Sequence, residues 1–417
     1  MATRPNTPAA NNAPNYLVPF IIVTALFGIF GFLTNLNSNL APKLEEIFNL
    51  NHAWSNLVTS SWFFAYLLFS VPSSKLIEKV GYKSTMVISL FIMVLGALLF
   101  FPAAGLGNLQ PSFPLFLTAS FVLATGVCAL QTSANPYISI LGPEDSAPAR
   151  LTLAQAFNSL GSALAPLVVG AFILTDSSIT DPKAIAHTVQ GPYIAIAVAL
   201  LVLGFLVMFL HLPAITATRD FRPTDANALA GKSIWSYKHT VLGMVGIFFY
   251  VGVEIALAAN AIQFFKTQGV DSRETAALLA SFYMFAIMIG RFAGTVVMKW
   301  VKASKLLAGL GIFGVVLLLL AMASTGQVAV WALILCGLAN SIMYPTIFAL
   351  GIAELGPLTS KGSGVITIGN FGGAVIPPLF GYLAVILGGY RMAFVLPIIC
   401  YLFISYYGFS GYKPTKA

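Results

Sequence analysis

The stretch ALQTSANPYISILG (129–142) lies inside a run of apolar residues long enough to cross a bilayer, yet its centre reads Gln131, Thr132, Ser133, Asn135, Pro136. Amides and a helix breaker at membrane depth are tolerated where protein or a watered cavity receives them, not where they face lipid. Gln131 and Asn135 are four residues apart and so share one helical stripe. The stripe predicts an internal wall.

The rest of the chain fits that setting. Its 417 residues are 58% hydrophobic and 8% charged, where ordinary soluble domains carry roughly 25% charge. Mean hydropathy is +0.88. A helix needs about 20 apolar residues to cross the hydrocarbon core. On that criterion twelve spans are predicted, near 17-40, 53-73, 84-105, 113-141, 152-175, 188-211, 240-265, 274-299, 304-323, 327-353, 363-386 and 391-410.

Sixteen of the 21 Lys and Arg residues fall on the side of the two termini and five on the other, so both termini are expected in the cytoplasm. The net charge of +8 is then topological, and nucleic acid is not an expected partner. The polar, proline-rich start MATRPNTPAANNAPNY lacks the order of a cleaved signal, and the first span is expected to be retained. Cys128, Cys336 and Cys400 fall inside spans, where a small apolar role is expected rather than a disulfide.

The longest hydrophilic stretch between spans, containing TATRDFRPTDANALAGKSIWSYK, divides them six and six. The expected organisation is a 1-16 cytoplasmic tail, a 17-211 six-helix half, a 212-239 cytoplasmic connector, a 240-410 six-helix half and a 411-417 cytoplasmic tail. An internal repeat supports it. Pro136 with Leu141-Gly142 recurs as Pro345 with Leu350-Gly351, and Gly161, Pro166 and Gly170 recur as Gly372, Pro377 and Gly381. Interrupted spans at matching positions of two halves point to a transporter's midplane binding site. The fold expected is an all-α integral membrane protein, twelve transmembrane helices in two pseudo-symmetric halves.

Polar residues within the spans fall on stripes. Asn35 and Ser38 are three apart in the first span, and Gln155, Asn158 and Ser162 share a face in the fifth. Further amides stand at Asn260, Gln263, Asn340 and Asn370. Such groups can simply glue helices together, at about 0.6 kcal/mol each on average. Their recurrence over six spans favours a shared cavity. Amides both donate and accept, which suits a neutral polyhydroxylated ligand.

Two charged residues lie well inside spans, Glu254 and Arg291. Glu254 has no basic neighbour one turn away and is the candidate for carrying a coupled ion, a proton or sodium; its alternative is a carboxylate paired to a distant helix. Arg291 either donates a fork to sugar oxygens or holds a gate. The four histidines show no metal-ligand spacing, and neither a nucleophile elbow nor a phosphate-binding loop occurs. An enzyme is not expected, nor a metal or a cofactor.

The segments NLNSNLAPKL (35–44), ANPYISILGPE (134–144), LAQAFNSLG (153–161), YVGVE (250–254), GRFAGT (290–295) and YPTIFALGIAELG (344–356) resemble the sugar/proton symporters of the major facilitator superfamily, in the branch of the fucose and glucose/galactose permeases. The resemblance covers nearly all of 17-410. It implies a central sugar site with rocking-type alternating access, and sugar contacts from Asn35, Gln155, Asn158 and Tyr344 with Arg291 near the cavity. PSSKLIEKVGYK (72–83) looks like a degenerate copy of the superfamily's gating motif, with Ser74 where Gly is usual and Glu78 where Asp is. It makes Glu78, Lys79 and Lys83 gating candidates. Where the fucose permease pattern has a first-span Asp and a fourth-span Glu tied to proton coupling, this chain has Ser38 and Gln131.

The function expected is therefore a secondary transporter of a neutral monosaccharide such as glucose, galactose, mannose or fucose, monomeric in the inner membrane. Ser38, Gln131, Asn135, Asn260, Asn340 and Asn370 join the expected sugar contacts. The rival readings are a sugar uniporter without ion coupling, a multidrug or amphiphile exporter of the same fold, and a sugar sensor that does not transport.

Overall fold

The computed structural model describes the backbone of residues 16–47, 52–105, 109–172, 182–210, 212–213 and 233–414, and the side chains of 16–35, 60–103, 113–166, 190–210, 212–213 and 233–414. Among the described residues every regular element is helical. The first five helices are α1 (Leu17–Ile47), α2 (His52–Gly105), α3 (Leu109–Ile140), α4 (Ala147–Phe172) and α5 (Pro182–Phe209). After the 234–236 turn come α6 (Lys238–Thr267), α7 (Arg273–Val297), α8 (Ala303–Ala323), α9 (Gln327–Asn340), α10 (Met343–Gly351), α11 (Thr359–Ile368), α12 (Gly372–Ile386), α13 (Tyr390–Ala393) and α14 (Val395–Tyr406).

Ten stretches of the described residues are long and apolar enough to cross a membrane. One of them, Ser60–Ala103, is 44 residues long, about twice what a crossing requires. It turns back at Gly81, whose φ of 81° is open to glycine and strained for other residues. The second and third spans are thus two arms of α2, with no loop between them. The gating candidates Glu78 and Lys79 end the first arm and Lys83 begins the second. With α4 the spans number twelve.

The tenth predicted span departs the other way. It breaks at 341–342 into α9 and α10, and Pro345 occupies the first turn of α10, where its missing N–H costs that helix no internal bond. The eleventh span stays helical but tightens into a 3-10 turn at 369–371 between α11 and α12. The bilayer-facing side chains are apolar, including Leu95, Leu206, Val316, Val385 and Leu402, so polar groups are left to the interior.

Close helix crossings hold each half, the tightest of them at two related glycines. A Cβ on Gly161 of α4 would sit 1.9 Å from the Gly28 carbonyl oxygen of α1, and one on Gly372 would sit 1.9 Å from the Phe248 oxygen of α6. Only hydrogen fits there, which lets the backbones pack at the separation that small residues permit in membranes. Asn158 Nδ2 donates to the Phe27 carbonyl (3.1 Å) and Ser162 Oγ to that of Gly31 (3.1 Å), fastening α4 to α1.

Two faces of the bundle can be told apart. The Gly81 face carries the α2 bend, the 141–146 turn and the 352–358 turn; the Gln268 face carries the α6–α7 turn and the Arg391–Gln268 hydrogen bond (2.6 Å). On the Gly81 face the halves touch repeatedly. Lys361 pairs with Glu78 at 3.6 Å, and the Glu354 backbone N–H donates to the Glu144 carboxylate (2.5 Å).

Candidate functional site

A cavity of about 600 Å³ lies between the halves. From the first half it is walled by Asn35 of α1, Gln131 of α3, and Gln155, Asn158, Ser159, Ser162 and Pro166 of α4; from the second by Tyr250 and Glu254 of α6, Ser281, Met284, Phe285 and Arg291 of α7, Tyr344 of α10 and Asn370. Gln155, Arg291, Tyr344 and Asn370 are buried at its floor. Met284 and Phe285 are exposed near its mouth. Along α4 and α7 the lining residues run toward the Gln268 face, so the cavity points that way and the Gly81 face is the sealed one.

The helical geometry explains why these residues meet. Gln155, Asn158, Ser159, Ser162 and Pro166 fall at three- and four-residue steps, one stripe of α4, and the Asn158 and Ser162 bonds to α1 fix its rotation. Asn158 gives a donor to α1, which leaves its amide oxygen for the cavity. Gln131 is oriented from α2, since Tyr66 Oη donates to Gln131 Oε1 (3.3 Å).

Arg291 ties the halves together. Its Nε donates to the Ser341 carbonyl (3.2 Å), while Nη1 donates to the Gln155 carbonyl (3.1 Å) and to Ser159 Oγ (2.5 Å) of α4. The guanidinium is thus largely engaged by protein, on both sides of the interface. Glu254 borders the same cavity, in range of the Arg291 charge, with the Tyr250 hydroxyl close to both. Among the described residues no base lies within ion-pair distance of Glu254, so Arg291 acts on it only at longer range.

Beneath the floor, Gln155 Nε2 donates to Asn135 Oδ1 (3.4 Å) and Asn135 Nδ2 donates to Tyr344 Oη (3.3 Å). The chain of bonds crosses from one half to the other.

Eight of the predicted residues therefore meet at one cavity: Asn35, Gln131, Gln155, Asn158, Glu254, Arg291, Tyr344 and Asn370. Three lie elsewhere. Asn135 is fully buried one layer below. Asn340 is buried in the second half, donating to Tyr283 Oη (2.6 Å) and accepting from Tyr401 Oη (2.8 Å), which is the interhelical-glue alternative. Asn260 donates to the Ala256 carbonyl of its own helix (2.8 Å) and borders a separate cavity with Ser60 and Tyr382. Ser38 lies outside the described side chains. Sequence reasoning passed over Tyr250, Ser159 and Ser281. Tyr250 precedes Glu254 by one turn, and that spacing was the available signal.

Similarity to known proteins bears on these features. The Major Facilitator Superfamily profile matches residues 21–373. A glucose/galactose transporter of Brucella abortus is 39% identical over 401 residues, covering 96% of this chain and 95% of that protein. The L-fucose-proton symporter of Escherichia coli is 31% identical over 414 residues, covering 95% and 93%. Among solved structures, the major facilitator transporter FucP in its outward conformation superposes with a TM-score of 0.84 at 30% identity, over 95% of this chain and 99% of that one. The proton:xylose symporter XylE aligns at 0.74 with 15% identity, a likeness of fold alone. Twelve spans in two interrupted halves around one central cavity, together with these matches, make the chain a member of the Major Facilitator Superfamily, a transporter family rather than an enzyme family.

Proposed function

We propose that the protein carries a neutral monosaccharide, a hexose such as glucose, galactose, mannose or fucose, across the bacterial inner membrane by alternating access. The observation that carries this reading is the cavity wall itself. Five neutral amides, Asn35, Gln131, Gln155, Asn158 and Asn370, and the Tyr344 hydroxyl come from both halves. They offer paired donors and acceptors to a ring of hydroxyls, with apolar faces from Val251, Ile287 and Phe285 beside them. An exporter of amphiphiles would be served by a wall with far fewer amides. The names of the relatives point the same way.

In this reading 17-211 and 240-410 are the two moving units, both termini are cytoplasmic, the Gly81 face is cytoplasmic and the monomer is the working unit. The cavity fills from outside, the Gln268 face closes and the Gly81 face parts, in the rocking motion of such repeats. Glu254 is the coupling group, since a neutral cavity offers few other sites for a proton or sodium ion.

The test uses proteoliposomes loaded with a pH-sensitive dye. Labelled glucose, galactose, mannose and fucose are offered with and without proton and sodium gradients. Expected is flux of at least one sugar, driven by one gradient in the wild type and insensitive to it in Glu254→Gln. Flux that ignores both gradients in both proteins overturns coupling and leaves a uniporter. Flux of hydrophobic cations with none of sugar overturns the sugar reading in favour of an exporter. Sugar binding without counterflow leaves a sensor.

A further inference from the structure

An α-helix bonds each carbonyl to the N–H four residues on, and proline has no N–H to give. Pro136 in α3 therefore leaves the Thr132 carbonyl without its helical partner. Pro345, its repeat mate 209 residues later, leaves the carbonyl of Ser341 in the same condition. Thr132 is fully buried and Ser341 nearly so, and a buried carbonyl with no donor is costly enough to be rare.

Both orphans are met by side chains. Ser363 Oγ of α11, from the opposite half, donates to the Thr132 carbonyl at 2.6 Å, and Ser363 is itself fully buried. Arg291 Nε donates to the Ser341 carbonyl at 3.2 Å, and its Nη1 then reaches the Gln155 carbonyl and Ser159 across the interface. A carbonyl already in a helical ladder can accept a second donor, as that of Gln155 does. An unbonded one requires it.

We infer that Pro136 and Pro345 are positioning residues of the sealed face: each withholds an N–H so that its orphaned carbonyl recruits a donor, Ser363 directly across the halves and Arg291 as an anchored strap between them. The inference rests on reading this face as the closed end of an alternating-access cycle. When the halves part on the Gly81 face, Thr132 loses Ser363 and its carbonyl is bare until water or closure returns. The prolines thus make the seal self-correcting, favouring closure whenever the face is dry. Pro136 does so through a direct bond and Pro345 by aiming a cation.

The experiment reads the seal without any sugar. Cysteines are placed by Glu78→Cys and Lys361→Cys, whose native side chains meet across the exposed edge of the seal. The rate at which a short bis-methanethiosulfonate reagent joins them in proteoliposomes reports closure. Ser363→Ala is expected to slow cross-linking about fivefold beside Pro136, and less than twofold in the Pro136→Ala background, where the helix supplies the missing N–H. Equal slowing in both backgrounds overturns the inference, because a proline acting only as a bend would not care about Ser363. Should Pro136→Ala fail to fold, Ser363→Thr decides: it keeps the hydroxyl and must keep the rate, and a rate as slow as that of Ser363→Ala overturns the inference. Absence of sugar flux in the wild type would overturn the proposed substrate and leave this result standing.

Discussion

Asn135 shows how far one residue can serve a cavity it never touches. Each of its two amide bonds is neutral and contributes on the order of 1 kcal/mol, and together they hold Gln155 and Tyr344 in register from opposite halves. Losing that register weakens sugar binding without removing a contact. Asn135→Ala should raise the half-saturating sugar concentration about five- to tenfold, with expression and maximal rate little changed, in counterflow on matched vesicles. Tyr344→Phe, which also takes a hydroxyl from the wall, should raise it at least as much, and the double variant should be no worse than that single one. Additive losses would show that the two act separately. The stripe of Gln131 and Asn135 was legible in the sequence as an inward face, but a stripe spans about a third of a helix's girth. Which edge of it meets open space and which meets a neighbouring helix depends on that helix's distance. Asn340 falls outside the cavity for the same reason, since an amide bound to Tyr283 and Tyr401 reads in sequence like one awaiting a ligand.

At the scale of the element, the spans themselves were written plainly in hydropathy, and their interruptions were not. Gly81 turns α2 without a loop because the first arm stays helical past Pro72 to the membrane edge, where charged residues continue it as readily as apolar ones. The break before Pro345 differs from the unbroken helix around Pro136, although the repeat is shared: one proline opens a helix and the other sits inside it. Local sequence carries the missing N–H in both cases, and only tertiary packing decides whether the chain bends. The crossings of α4 on α1 and of the 369–386 segment on α6 are more rigidly specified. Gly161→Val and Gly372→Val drive a side chain into a backbone oxygen. Overpacking of this kind costs about 1–3 kcal/mol or more, so each should lower the thermal midpoint of the purified protein and its surface expression. A Gly381→Val control, at a glycine with open space around it, should leave both near wild type. Equal losses at all three would point to helix propensity instead of the crossing.

Across the whole molecule, the seal on the Gly81 face is layered. The Lys361–Glu78 pair and the Glu144 carboxylate on the Glu354 N–H lie at its exposed rim, Ser363 on Thr132 and Asn135 on Tyr344 are buried beneath, and Arg291 is at the cavity floor. An exposed pair is worth at most about 1 kcal/mol, enough to shift an equilibrium between two open states several-fold. Lys361→Glu should place two carboxylates together and reduce uptake about threefold at low ionic strength, less at high salt as screening sets in. Adding Glu78→Lys should restore it. A double variant as poor as the single one would show that the pair has no part in gating.

The cavity volume carries one more consequence. About 600 Å³ is well beyond what a single hexose ring occupies, and Met284 and Phe285 stand exposed near its mouth. The open cleft thus accepts more than the closing molecule can wrap. A sugar bearing an apolar substituent should dock its hydroxyls on the amides, lay its tail against that greasy lip and wedge the two halves apart. Such glycosides would be inhibitors that bind and are never carried, a pharmacology set by the mouth of the cleft rather than by its floor.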